Sequence, residues 1–598
     1  MKNPTEISVK GRTGGKDLLR GRDLRYIYSR LWSYLSHYKL LLVLTVILTV
    51  ISGVLGITGT SLAGKAIGAI SGEGDYTVWH YLIIMVVFYA LSTLISYLLS
   101  LLMLTLSQRI VGKMRTDVYS KLVTLPVSFF DKHQAGEIVS TVTYDINTVS
   151  ESLANDFLQI ITSVTTVGYS FVLMLTVSPI LVCVFALTIP LSIAFTTIIG
   201  RIVRPLYRKR SATLGAMNGY VEEMISGHKT VKVYSAEDAV IAGFDEKNKD
   251  ATEAYARAEA NGTMSGPTIN LRNNLSLALV NIFGALIYMN GSTLTLTGLS
   301  QFVLLSRKFS GPINQIANIY SDLQSALAAS ERVFRLIDED SERDDASDAR
   351  VLTSTRGEVE MRDVSFGYIP ERTVLHSLSF KAEPGSVTAI VGPTGAGKTT
   401  LINLLMRFYD IDSGAVELDG ENIYSITRDS LRRSYTMVLQ ETWLFHGTVY
   451  ENVAYGREDV SREDVERVCR AAGIHGFIMS LPDGYDTQLS ESGMNISKGQ
   501  KQLLTIARAM LIDSNMLILD EATSNVDSKT ERDISEAMVS LMKNKTCFVI
   551  AHRLSTVRGA DCILVVRDGD VVEQGTHDEL IARGGFYYEL YSSQFENV

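Results

Sequence analysis

Val387-Thr-Ala-Ile-Val-Gly-Pro-Thr-Gly-Ala-Gly-Lys-Thr-Thr400 is the stretch on which the reading of this chain turns. A five-residue β-rich run goes straight into a glycine-rich loop, and a helical pattern begins directly behind it. Glycines in such a loop let successive backbone N–H groups converge on phosphate at the positive end of a helix. Gly392, Thr394, Gly395, Ala396, Gly397 and Thr400 are therefore expected to line a nucleoside triphosphate. Lys398 is expected to reach its β and γ phosphates, and the Thr399 hydroxyl to ligate Mg2+. Downstream, the apolar run Met516-Leu-Ile-Leu519 ends in Asp520, followed at once by Glu521. Asp520 suits the magnesium shell and Glu521 is placed to polarise an attacking water. An acidic pair after a strand is also an ordinary helix start, and the order of the motifs decides for the first reading.

From Gly357 to the end, short β-rich runs alternate with helical stretches, the pattern of an α/β domain with a largely parallel sheet. Residues 357–598 are assigned to it. Ahead of it, Ile337-Asp-Glu-Asp-Ser-Glu-Arg-Asp-Asp345 is acidic and loses apolar periodicity, so residues 337–356 read as a linker.

Residues 1–336 have a different character. A membrane helix covers ~30 Å at ~1.5 Å per residue, so it needs about 20 uncharged apolar residues. Leu40 to Leu62 and Tyr81 to Gln108 contain no charge, and Phe157 to Gly200 is long enough for two spans that turn near Ser178 and Pro179. Asn273 to Ser306 is uncharged too, with a hairpin expected at Tyr288 to Ser292. The expectation is six transmembrane helices. Lys and Arg set their orientation. Residues 1–39 hold nine, and residues 109–150 and 201–260 hold many, whereas the expected Ser61 to His80 loop has only Lys65. Both termini are thus expected in the cytoplasm of a multi-pass plasma-membrane protein. The two long polar segments read as helical hairpins on that side. Residues 1–39 lack the apolar core and cleavage site of a secretory signal, so insertion is expected to use the internal spans.

Composition agrees with this division. At 598 residues the chain exceeds one core, and 46% hydrophobic with 20% charged residues fits a membrane part joined to a soluble part. A net charge of -9 argues against nucleic acid as a partner. Cys183, Cys469, Cys547 and Cys562 have no metal-ligand spacing and are expected to be buried thiols in a reducing compartment.

With these motifs in order, residues 357–598 resemble the nucleotide-binding domain of ATP-binding cassette (ABC) transporters, and the whole chain resembles their exporter class. The resemblance implies an all-α six-helix membrane domain followed by an α/β P-loop domain that uses ATP and Mg2+. It also implies roles for further residues. Tyr368 matches the aromatic that stacks on adenine, Gln440 the glutamine that joins magnesium and water to the membrane domain, and His552 the histidine at the γ-phosphate. Ser524-Asn-Val-Asp527 occupies the loop that crosses a dimer interface. Phe129-Phe-Asp131, with Gly136-Glu137 and Asp145, resembles the first intracellular contact segment, and Tyr220 to Val233 resembles the second.

The signature peptide departs from the family. The usual Leu-Ser-Gly-Gly-Gln reads Ile496-Ser-Lys-Gly-Gln500, with Lys498 where backbone should approach phosphate; Ser497, Gly499 and Gln500 are kept. Leu489-Ser-Glu-Ser-Gly493, Asn525 and Val526 also differ from the usual residues. Intact Walker residues beside an altered signature imply one subunit of a heterodimer, in which a different chain's signature completes the site of Lys398, Asp520, Glu521 and His552. A homodimer tolerating the lysine is the alternative. The resemblance further implies ATP-driven export of an amphipathic, drug-like, lipid or peptide substrate through the bilayer. An importer of the same architecture, as in siderophore uptake, and a regulatory ATPase remain open. A peptide-processing exporter would need a protease domain for which residues 1–39 are too short. Arg272, Arg307 and Lys308 flank the last two spans. Counted from Asn290, Arg272 and Arg307 are expected ~25 Å inward, at the cytoplasmic boundary.

Overall fold

The computed structural model describes residues 21–73, 76–290, 294–440, 442–457, 459–489, 496–520, 528–550 and 557–595. The chain divides into two compact units, Met1–Val123 with Ala135–Glu339, and Thr124–Gln134 with Asp340–Val598.

The described part of the first unit is helical: α1 (Gly21–Ser36), α2 (Lys39–Ile70) and α3 (Val78–Thr124) come first. Helix α4 (Val127–Lys132) lies in the segment that belongs to the second unit. Then follow α5 (Ala135–Ser140), α6 (Ile146–Glu151) and α7 (Phe157–Val177), joined through π-helical turns at Thr141–Asp145 and Ser152–Asp156. The rest are α8 (Pro179–Ser226), α9 (His228–Val233), α10 (Glu237–Thr263), α11 (Ser265–Met289) and α12 (Leu296–Asp338). Among the described residues, three stretches are long and apolar enough to cross a membrane: Lys39–Ile70, Val78–Thr124 and Ala135–Val177. The turn expected at Ser178 is present. Ser178 caps α8 by accepting from the Leu181 N–H, and Pro179 fills the first helical position, where its missing donor costs nothing.

Small residues let α2 and α12 touch. A Cβ on Gly68 would stand 1.7 Å from the Thr297 hydroxyl, and one on Gly64 would stand 2.7 Å from the Gln301 backbone nitrogen. Gln301 donates to the Ser61 carbonyl at 3.1 Å, and Glu73 accepts from the Thr297 N–H at 3.0 Å. This packing corrects the expected Ser61 to His80 loop, because α2 continues to Ile70. It also corrects the depth of Arg307. Helix α12 begins at Leu296 rather than beside Asn290, so Arg307 lies about 16 Å along it. The Arg272 side chain lies outside the described residues. Of the four thiols, Cys469 and Cys547 are buried and pushed up to about 12 by that burial, which leaves them inert. Cys183 is exposed, against expectation, on an apolar helix whose surface needs no protein cover.

The second unit is built on two sheets. β1 (Val359–Phe366), β2 (Leu375–Ala382), β4 (Ser413–Leu418) and β5 (Glu421–Asn422) form an antiparallel sheet in the order β2-β1-β4-β5. β3 (Val387–Val391), β6 (Tyr435–Val438), β9 (Met516–Asp520), β10 (Thr546–Ile550), β11 (Cys562–Arg567) and β12 (Asp570–Gly575) form the other. Its order is β12-β11-β3-β10-β9-β6, parallel except for β12. Every residue of β10 is buried, as expected for a central parallel strand covered on both faces. Helices α13 (Lys398–Leu405), α14 (Arg428–Arg433) and α18 (Lys498–Ile512) matter below; α15 to α17 lie between Val449 and Ser480. The short pair β7 (Gly447–Thr448) and β8 (Gln488–Leu489) completes the strands.

The acidic run after α12 is ordered by arginines of this unit. Glu342 accepts from Arg432 Nη1 at 2.9 Å, while Asp345 accepts from the Arg428 backbone N–H at 2.9 Å and its Nη1 at 3.0 Å. Arg407, also buried, lies 3.4 Å from Asp345, and burial and Arg428 together lower its pKa. Arg428→Ala would take the guanidinium at 3.0 Å away from half-buried Asp345, leaving it Arg407 and the backbone N–H, while Glu342 would keep only Arg432. It is expected to destabilise the unit by about 3 kcal/mol, measured as a lower thermal midpoint of the detergent-solubilised protein. An unchanged midpoint would mean that the acidic run is held by other contacts.

Candidate functional site

Parallel strands bring the ends that carry the motifs to one edge, where open α/β sheets take their ligands. β3 delivers the glycine-rich loop into α13. Gly395 and Gly397 have φ of +84° and +104°, a region open to glycine and strained for other residues. Gly397 is the residue before α13, so its turn aims the helix amino terminus back into the loop. A Cβ on Gly392 would stand 2.1 Å from the Val566 carbonyl oxygen, so the loop root is pressed against β11.

Lys398 is the first residue of α13 and folds over the loop, its Nζ donating to the carbonyls of Gly392 at 2.8 Å and Pro393 at 3.0 Å. Burial lowers its pKa, and the nearby Asp520 carboxylate opposes that shift. Thr394 and Thr399 are exposed, Ala396 and Thr400 buried. Asp520 ends β9, level with Ile550 of β10. Gln440 is exposed two residues past β6, the strand on the other side of β9. The structure thus brings the loop, Lys398, Thr399, Gln440 and Asp520 to one edge. Glu521 and His552, and Ser524 to Asp527, lie outside the described residues. Asp520, the Thr399 hydroxyl and the Gln440 amide are hard oxygen donors of the kind magnesium takes.

Tyr368 follows β1 and is 39% exposed, leaving one face for a ligand. Its hydroxyl donates to Thr400 Oγ1 at 3.1 Å, fixing it to α13. Sequence reasoning missed Tyr409. Its ring meets Tyr368 edge-on at 4.9 Å and Phe366 at 5.6 Å, and its hydroxyl donates to Asp131 beside Phe129 and Phe130 in α4. The segment expected to contact an ATP-binding domain is therefore tied to the aromatic cluster around Tyr368. No local sequence signal marks a contact between residues so far apart.

Ser497 caps α18 in a reciprocal box: its N–H donates to Gln500 Oε1 at 2.8 Å and its hydroxyl accepts from the Gln500 N–H at 3.3 Å. Gly499 is buried, whereas Lys498 is exposed in ordinary helical conformation. The lysine therefore strains no backbone of its own chain. What it changes is the surface ahead of the helix, where it adds bulk and a positive charge.

Comparisons with known proteins follow the same division. The family described as ABC transporter transmembrane region matches residues 42–313, and the family described as ABC transporter matches residues 375–524. The chain is 40% identical over 592 residues to the uncharacterized ABC transporter ATP-binding protein YfiC of Bacillus subtilis, covering 99% of this chain and 98% of that one. It is 43% identical over 483 residues to the fatty acid ABC transporter ATP-binding/permease protein of Mycobacterium bovis, covering 81% and 76%. Among solved structures, a bacterial Atm1-family ABC exporter with ATP bound superposes with a TM-score of 0.72 at 29% identity, covering 92% of this chain and 98% of the other.

Proposed function

Because this chain belongs to the ABC transporter family, as a membrane protein whose ATP-binding domain drives export, we propose that it works as one of two chains whose ATP sites each draw residues from both. The convergence of the glycine-rich loop, Lys398, Gln440 and Asp520 on one sheet edge carries the reading. ATP lies with adenine on Tyr368 and phosphates in the Gly392–Thr399 loop. Lys398 leaves its loop carbonyls for the β and γ phosphates, and Thr399, Gln440 and Asp520 hold Mg2+, which neutralises phosphate charge. Glu521 activates water and His552 contacts the γ-phosphate.

The second chain's capped helix, the counterpart of α18, closes over that phosphate. Closing two such sites biases the membrane domains toward one opening only as far as ATP prefers the closed pair. Lys498 supports a heterodimer, since this chain offers its partner a bulkier, charged helix terminus. The second contact segment supports pairing as well, because its Ile225 and Val233, and Tyr234 directly after it, are 70%, 79% and 77% exposed, apolar surface that another chain would cover.

The cargo is amphipathic and lipid-like, a reading supported by the fatty acid relative. Inside-out vesicles holding the co-purified transporter should accumulate a fluorescent fatty acid when ATP is added. ATP-dependent loss from the vesicles would instead identify an importer of the same architecture.

A further inference from the structure

Two cations stand where the surrounding helices are apolar. Arg307 and Lys308 of α12 are both exposed, and neither side chain has an ion pair or hydrogen bond among the described residues. Their depth follows from the neighbours. Gln301 donates to Ser61, four residues short of Lys65 in α2, and Arg307 lies about 9 Å further along α12. Phe309 meets Phe185 edge-on at 5.3 Å, and Phe185 lies about 9 Å into α8 from Pro179. Both routes place the cations inside a hydrocarbon layer ~30 Å thick.

The apolar segments of this chain supply no carboxylate to meet them. The segments Leu40–Gly64, Tyr81–Gln108, Phe157–Gly200 and Asn273–Ser306 contain no acidic residue. A cation in hydrocarbon is costly and turns to water or to an anion. The packed face of α12 here is Phe302, Leu305, Ser306 and Phe309, all buried, so Arg307 and Lys308 point away from it. Two turns beyond Arg307, Gln315 is also exposed and accepts from Gln159 at 2.8 Å, which marks this side of α12 as polar.

We propose that Arg307 and Lys308 form the site that binds the anionic head of the amphipathic substrate, a carboxylate or a phosphate, while its chain lies along the apolar helices. The inference rests on the transporter reading above and adds the charge of its cargo. Arg307 offers a fork that matches either head, and Lys308 adds a second charge within the same turn.

The test is equilibrium binding of radiolabelled oleate, dodecyl phosphate, methyl oleate and dodecyltrimethylammonium to the co-purified transporter in phosphatidylcholine nanodiscs without ATP. At least one anion should bind, with methyl oleate and the cation about tenfold weaker or worse. Arg307→Gln with Lys308→Gln should weaken the anion about tenfold and leave methyl oleate unchanged, and Arg307→Lys with Lys308→Arg should restore most of the affinity. Binding of oleate alone or of dodecyl phosphate alone assigns the head to carboxylate or phosphate. The proposal is overturned if neither anion binds, if methyl oleate matches oleate, or if the glutamine pair binds the anion normally. The methyl oleate comparison needs no variant, so it stands even if the glutamine pair misfolds. Intact binding without ATP-driven transport would count against the transporter reading and leave this site standing.

Discussion

Lys398→Met is expected to lower ATP turnover about a thousandfold, because it removes the cation that would meet the β and γ phosphates. The side chain already lies over the loop, bonded to the carbonyls of Gly392 and Pro393, so its charge is placed before nucleotide arrives. Burial depresses its pKa in the free protein, whereas phosphate would raise it. Below the depressed value the lysine is charged in both states, and pH has no leverage through it. Above that value binding must take up a proton, so ATP affinity should fall as pH rises. Methionine at this position should abolish that slope. Turnover by phosphate release and affinity by nucleotide titration across alkaline pH check both statements; a methionine variant that keeps its turnover would remove Lys398 from the site.

Gly392→Ala should be nearly as damaging by a different route. The new Cβ would stand 2.1 Å from the Val566 carbonyl oxygen, a backbone atom of β11 held in register with β3. Either the strand pairing or the loop must shift, at a cost of about 3 kcal/mol, and turnover should be lost with it. Gly395→Ala is the informative contrast. There a Cβ meets nothing within 4 Å, and only the φ of +84° is strained, so about 1 kcal/mol is expected. Thermal midpoints of the two variants should rank in that order, and equal midpoints would show that the contact with Val566 is not what fixes this glycine.

Much of this was legible because the deciding features are local. Strand, loop and helix from Val387 to Thr400 are contiguous, as are the apolar run ending in Asp520 and the Ser178-Pro179 helix start. What escaped the sequence depends on distant partners. The extension of α2 to Ile70 is fixed by Gly64 and Gly68 meeting Gln301 and Thr297, more than 200 residues away. Order in the acidic run comes from Arg407, Arg428 and Arg432, and the role of Tyr409 from Asp131. The antiparallel sheet β2-β1-β4-β5 was missed because β5 is two residues long and the register between β1 and its neighbours shifts, which blurs a period-two pattern. Arg307 was placed too far toward the cytoplasm by counting from Asn290, since nothing local showed that the helix starts at Leu296.

ATP hydrolysis by this chain purified alone, and by the complex it forms with a half-transporter that co-purifies from the same cells, tests the central claim most directly, each measured with and without Glu521→Gln. The account predicts that only the two-chain complex turns over ATP and that Glu521→Gln in this chain silences it. An active dimer of this chain by itself would contradict the pairing inferred from Lys498 and make the protein a homodimeric transporter.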